Sequence, residues 1–139
     1  MGRILTALLA TVVLAGCGGA GEGPVTVESH AGKWESGYGT TFYNVVGVLK
    51  NEGSQTLAYV KLRVEALDGD ETVVASTDTY NESAEALTAL GGDLEALQAS
   101  GKISTFEAGT TQRFRASFLK DEHPTIKSHR VRIVETPTS

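Results

Sequence analysis

The sequence predicts an all-β fold, an antiparallel β-sandwich with a short helical insertion. Three observations carry that expectation. Apolar and polar residues alternate with a period of two through Leu57–Leu67, Gln112–Leu119 and Ile126–Glu135, the pattern of strands buried on one face. Turn residues separate such runs at roughly ten-residue spacing, as in two-sheet sandwiches. One segment breaks the pattern: from Asn81 to Gly101, Leu87, Leu90, Leu94 and Leu97 recur at helical spacing among alanines and glutamates.

The first element is a leader. Arg3 and the amino terminus precede an apolar run from Ile4 to Val13. That run is too short for a bilayer core, which needs about 20 residues. Small residues at Ala15 and Gly16 mark a cleavage site, as in a secretory signal. Leu14-Ala15-Gly16-Cys17 resembles the bacterial lipoprotein lipobox at all four positions. The resemblance implies a signal peptide over residues 1–16, diacylglycerol on Cys17 and further acylation of the new amino group. Two or three acyl chains anchor stably where one does not, at about 0.8 kcal/mol per buried CH₂.

Gly18 to Pro24, with four glycines, reads as a flexible tether whose reach grows only as about 5–6 Å × √n. The folded part is therefore expected close to the membrane. Gly18 stands where enteric lipoproteins retained in the inner membrane carry aspartate. In a Gram-negative host the resemblance points to the outer membrane, facing the periplasm.

Loss of Arg3 with the leader reduces the 12 Lys+Arg to 11, against 17 Asp+Glu, for a net charge of −6. That balance argues against a nucleic-acid partner. With Cys17 the only cysteine, no disulfide can staple the fold, and stability must come from packing.

The domain is expected over residues 25–136. Val25–Ser29 is a short strand, and Thr41–Asn51 a longer one ended by Asn51-Glu52-Gly53. In Leu57–Leu67, Val60, Leu62, Val64 and Ala66 face one way, and Lys61, Arg63 and Glu65 the other. Asp68-Gly69 is a hairpin signal, with the return strand at Glu71–Thr79. Phe114, Ala116 and Phe118 point inward from the next strand, Val131 and Ile133 from the last. The insertion at 81–101, broken by Gly91-Gly92, is expected to cover an open end of the sandwich or to form an arm that docks a partner.

Tyr43-Asn44-Val45-Val46-Gly47-Val48-Leu49-Lys50-Asn51-Glu52-Gly53, followed by Thr56 to Leu62, resembles the FxLyD domain of bacterial and archaeal envelope proteins. Trp34 and the Glu107-Ala108-Gly109-Thr110 turn before Phe114 match further parts of its pattern. The naming motif falls on Val64-Glu65-Ala66-Leu67-Asp68, of which only Asp68 is retained. The resemblance implies an immunoglobulin-like sandwich, no catalytic residues, and a role in interactions outside the cytoplasm.

Candidate chemistry is sparse. Among His30, His123 and His129, His129 shares parity with Val131 and Ile133 and reads as a hydrogen-bonded structural residue. The His123–His129 spacing fits no zinc pattern, and Asp68-Gly69-Asp70-Glu71 lacks the further ligands of a calcium loop. No serine lies in a Gly-x-Ser-x-Gly setting. No catalytic residue, metal or cofactor is expected.

One constellation stands out. If the strand ending at Leu67, the Phe114 strand and the last strand were neighbours, Lys61, Arg63, Arg113, Arg115, Arg130 and Arg132 would share one face. Like charges opposite each other across strands are destabilising, so such a face implies either an anionic partner or interleaving with Glu65, Glu135 and loop carboxylates. The expectation is a membrane-anchored envelope lipoprotein serving as a non-catalytic interaction or scaffolding module with an envelope protein partner. A small-ligand or metal-binding accessory lipoprotein is the alternative. Metabolic labelling with a radioactive fatty acid should mark the wild-type chain and leave Cys17→Ala unlabelled.

Overall fold

The computed structural model describes residues 23–88, 91, 93–99 and 105–139. The leader, Cys17, the tether through Glu22 and Leu90 lie outside them. The strands are β1 (Val25–Gly37), β2 (Thr40–Asn51), β3 (Lys61–Leu67), β4 (Val73–Tyr80), β5 (Thr111–Leu119) and β6 (Ser128–Glu135), with a 3-10 helix (Glu82–Leu87) and α1 (Leu94–Ala99) between β4 and β5. They form a β-sandwich of two antiparallel three-stranded sheets, ordered β1-β2-β5 and β4-β3-β6.

The period of two does what it predicts for the core. Val45 and Leu49 of β2, Leu62, Val64 and Ala66 of β3, and Phe114, Ala116 and Phe118 of β5 are buried between the sheets. Leu57, Val60, Phe106 and Ile126 join them from the connections, and Val131 and Ile133 of β6 pack alongside. Burying each large aliphatic or aromatic side chain contributes about 1.5–3 kcal/mol. In a chain without disulfides that contribution carries the fold.

β1 is longer than the Val25–Ser29 run. A bulge between Val27 and Ser29 shifts the register against β2. One extra residue, Glu28, moves the inward set from Val25 and Val27 to His30, Gly32 and Trp34. A bulge erases the period-two signal, which is why the sequence pattern ends at Ser29. The β1–β2 hairpin closes through Tyr38 (φ 52°) and Gly39 (φ 78°). Positive φ at both central residues is what a two-residue type I′ turn requires. At the next hairpin, Asp68 Oδ1 accepts the Asp70 and Thr72 amides at 2.8 and 3.0 Å. Asp68-Gly69-Asp70-Glu71 is thus a side-chain-stapled turn.

The placement of β5 corrects the expected strand order. β5 pairs with β2, opposite sheet to β3 and β6, with Phe114 opposite Gly47. The reason is steric. A Cβ at Gly47 would overlap the Phe114 ring and the Ser29 carbonyl, so the missing side chain is the seat for that ring. The insertion carries the chain from β4 across to this second sheet. There Thr79 Oγ1 donates to the Arg115 carbonyl of β5 at 2.7 Å, bonding the two sheets along that side.

The insertion covers an end of the sandwich. Leu87 and Leu97 are buried with Tyr80 and Ala84 in a second small core, flanked by Tyr59 and Leu94. Fully buried Asn81 ties it down. Its Oδ1 accepts the Val60 amide at 2.8 Å, and its Nδ2 donates to Ser83 Oγ at 3.0 Å and Gln112 Oε1 at 2.7 Å. Buried Asn51 does the same nearby, donating to the Gln55 and Phe106 carbonyls and accepting from Gly53. Satisfying every polar atom is what makes such burial tolerable.

The strand directions define two poles. Pro24, Asn51, Lys61, Tyr80, Thr111 and Glu135 lie at one, with the insertion and the carboxy-terminal residues. The 38–39, 68–72 and 120–127 connections lie at the other. Gly47→Ala is expected to cost about 2 kcal/mol or more through overpacking. Gly37→Ala, whose Cβ meets open space, should stay within about 0.5 kcal/mol. Urea midpoints at constant slope measure both.

Candidate interaction faces and a histidine seam

The six basic residues picked out by alternation are divided between two sheets. Lys61, Arg63, Arg130 and Arg132 project from the outer face of β4-β3-β6, with Arg63 directly opposite Arg132. The repulsion expected of that pair is offset by carboxylates at interleaved positions. Arg63 Nε donates to Asp78 Oδ1 at 2.9 Å, and Lys61 Nζ stands 3.7 Å from Asp78 Oδ2. Arg130 Nε lies 2.8 Å from Glu65 Oε1, and Arg132 Nη2 lies 3.7 Å from Glu65 Oε2. Two carboxylates thus each sit between two cations. The Arg63 hydrogen bond holds the Asp78 carboxyl below its ordinary pKa. At the edge, Tyr59 Oη donates to Glu135 at 2.8 Å. Burial first, and then that carboxylate, push the phenol up to about 12.

Arg113 and Arg115 project from the other sheet. On the outer face of β1-β2-β5, cross-strand rows read Glu35–Phe42–Leu119, Lys33–Asn44–Ser117, Ala31–Val46–Arg115 and Ser29–Val48–Arg113. On β2 the outward apolar residues are Phe42, Val46 and Val48, interrupted by Asn44, with Val46 at 50% exposure the most open. Arginines flank them on β5 and lysines at Lys33 and Lys50. Lys33 pairs with Glu35 at 3.4 Å and Arg115 with Glu85 at 3.7 Å. The guanidinium of Arg113 and the ammonium of Lys50 form no ion pair among the described residues. Asn44 donates to Glu35 at 2.6 Å and accepts from Ser117 Oγ at 2.6 Å, fixing the upper part of the face. Its donation holds the Glu35 carboxyl below the usual range.

A second feature lies where β1 and β6 meet along the other side of the sandwich. His30 Nδ1 and His129 Nε2 are 2.8 Å apart, with the rings nearly perpendicular at 81°. His129 Nδ1 is 3.2 Å from Tyr43 Oη, and Trp34 stacks edge-on against Tyr43 at 5.3 Å between centroids. Both nitrogens of His129 are therefore occupied, and its structural assignment from parity agrees with this geometry. Gly32 gives these rings room, because a Cβ there would strike Tyr43 Oη and His129 Nδ1. His30 escapes sequence reasoning, since the bulge hides its parity. Burial, and then the neighbouring His30, depress the His129 pKa to about 4. Burial lowers His30 and raises Tyr43. His123 instead packs edge-on against Phe118.

Among the described residues, no group of three or more His, Cys, Asp or Glu side chains is placed to hold a metal ion. Two shallow depressions lie toward the Pro24 pole. One of about 210 Å³ is lined by Lys61, Asp78, Tyr80, Leu87, Thr88 and Gly91. The other, of about 370 Å³, includes Pro24, Gly53, Leu57 and Thr138. The fold and faces define a β-sandwich with two chemically distinct sheet surfaces, one whose four cations are all ion-paired and one with Val46 exposed among polar and charged residues. No protein-family model, curated protein or solved structure matches the chain.

The histidine seam has a pH consequence. The depressed pKa of His129 means that the unfolded chain binds a proton below about 6.5 that the native state refuses until about 4. Stability is therefore full above pH 6.5 and falls as the pH drops toward 4, by an amount on the order of 2–3 kcal/mol. Denaturation midpoints at stepped pH should show that slope, flattened in His129→Gln.

Proposed function

We propose that this chain is a lipid-anchored protein of the cell envelope whose sandwich acts as a non-catalytic interaction module. The observation that carries the reading is the path of the chain. The tether enters at Pro24, whose carbonyl accepts the Glu52 amide at 2.7 Å. The carboxy-terminal residues return to the same pole, where Thr138 bridges to Leu57. The helical cover sits there too, and among the described residues no further element covers either broad sheet face or the opposite pole. A 13-residue β1, at about 3.3 Å per residue, puts the Tyr38 turn some 40 Å from the tethered pole. Such a body presents lateral surfaces to other envelope components and keeps its attachment at one end.

The lipobox resemblance supports the anchor, and the FxLyD resemblance supports an interaction role for the domain. A short-range crosslinker applied to intact cells, followed by membrane fractionation, tests the reading. The fatty-acid-labelled chain is expected to give discrete adducts with envelope protein, sharply reduced for Cys17→Ala held away from the membrane. A fully acylated chain that forms no protein adduct would overturn it.

A further inference from the structure

The two sheet faces differ in one respect that bears on what binds. On β4-β3-β6 the four cations are already seated on Asp78 and Glu65. On β1-β2-β5 the flanking cations outnumber the carboxylates that meet them. Lys33 and Arg115 are paired, while Arg113 and Lys50 have no ion-pair partner among the described residues. Between them Val46 and Val48 form an apolar pair on β2, separated by Asn44 from Phe42 and Leu119 at the upper corner.

We infer that the outer face of β1-β2-β5 docks an acidic protein surface, its carboxylates meeting Arg113, Arg115 and Lys50 around an apolar contact centred on Val46. This inference rests on the interaction-module reading and names its face and partner chemistry. An apolar centre with a charged rim is the usual anatomy of a protein interface. Unpaired rim cations add steering and selectivity for opposite charge.

The same face disfavours the other occupants. Two copies joined through this face by a two-fold axis would set cations against cations. An anionic bilayer would find little apolar surface to bury, with Val46 half exposed and Phe42 and Val48 less so; Glu82 and Glu85, beside β5, bound the face for any acidic partner. Glu82 accepts the Arg113 amide at 2.9 Å, and Glu85 pairs with Arg115. Val46 and Val48 are also flush with the sheet, whereas membrane-surface segments bury an extended apolar face in the interface.

The test places a photoreactive benzoyl-phenylalanine at Val46 in the full acylated chain, in its own envelope. A matched probe at Ser76, on the outer face of the opposite sheet, serves as the comparison. The expected result is a protein adduct at Val46, mapped to an acidic stretch of the partner. Its yield should fall about tenfold in Arg113→Glu/Arg115→Glu and recover when the mapped partner carboxylates are changed to lysine. Arg113→Gln/Arg115→Gln, free of added repulsion against Glu82 and Glu85, should give an intermediate loss.

Adducts at Ser76 alone would overturn the face while leaving the module reading intact. A Val46 adduct with lipid or with a second copy would overturn the partner chemistry. So would a protein adduct indifferent to both arginine pairs. No protein adduct from any position in fully acylated protein would overturn both readings together.

Discussion

The seating of Phe114 over Gly47 is the contact on which the arrangement of this sandwich depends. Gly47 leaves a gap in the inner surface of β2 at the position where β5 must lie, and the Phe114 ring fills it. β5 is thereby committed to the sheet of β1 and β2. Thr79 and Glu82 then bond its backbone from the side, through the Arg115 carbonyl and the Arg113 amide. These contacts cover a strand edge that would otherwise offer unpaired backbone groups. Any side chain at residue 47 would displace the ring and weaken the pairing that places two arginines on the same face as Val46.

Charge follows from that commitment. Four of the basic residues remain on β3 and β6, where Asp78 and Glu65 each bridge two of them. Exposed ion pairs contribute little individually, about 0–1 kcal/mol. Their effect here is to cancel the repulsion of Arg63 opposite Arg132 and leave a nearly balanced surface. The two arginines on β5 meet fewer carboxylates and stand next to exposed valine. Equal residue types thus acquire different roles through the strands beside them.

The two sides of the sandwich are closed by different chemistry. Along β4 and β5 the closure is a hydroxyl-to-carbonyl bond from Thr79, packing, and the Glu82 carboxylate on the Arg113 amide. Along β1 and β6 the closure is an imidazole pair backed by Tyr43, with room supplied by Gly32. Two rings sharing one hydrogen bond accept a second positive charge only at the expense of that contact. At the Pro24 pole, Asn51 and Asn81 use every side-chain polar atom to hold irregular loops, so this end is fixed by hydrogen bonds more than by strands.

Legible in the sequence were the all-β class, most strand positions, the inward sets of β3, β5 and β6, and the covering role open to the leucines of the insertion. Those are local properties: alternation, turn chemistry and helical spacing act within a few residues. The placing of His129 was legible too, because parity carries along an unbroken strand. That β1 continues to Gly37 emerges only on folding, because a single extra residue at Glu28 inverts the alternation. Which strands are neighbours is likewise a property of the whole fold, and it parts Arg113 and Arg115 from Lys61, Arg63, Arg130 and Arg132. Strand order is set by non-local packing, here a ring in the gap of one glycine, and alternation within a strand is blind to it.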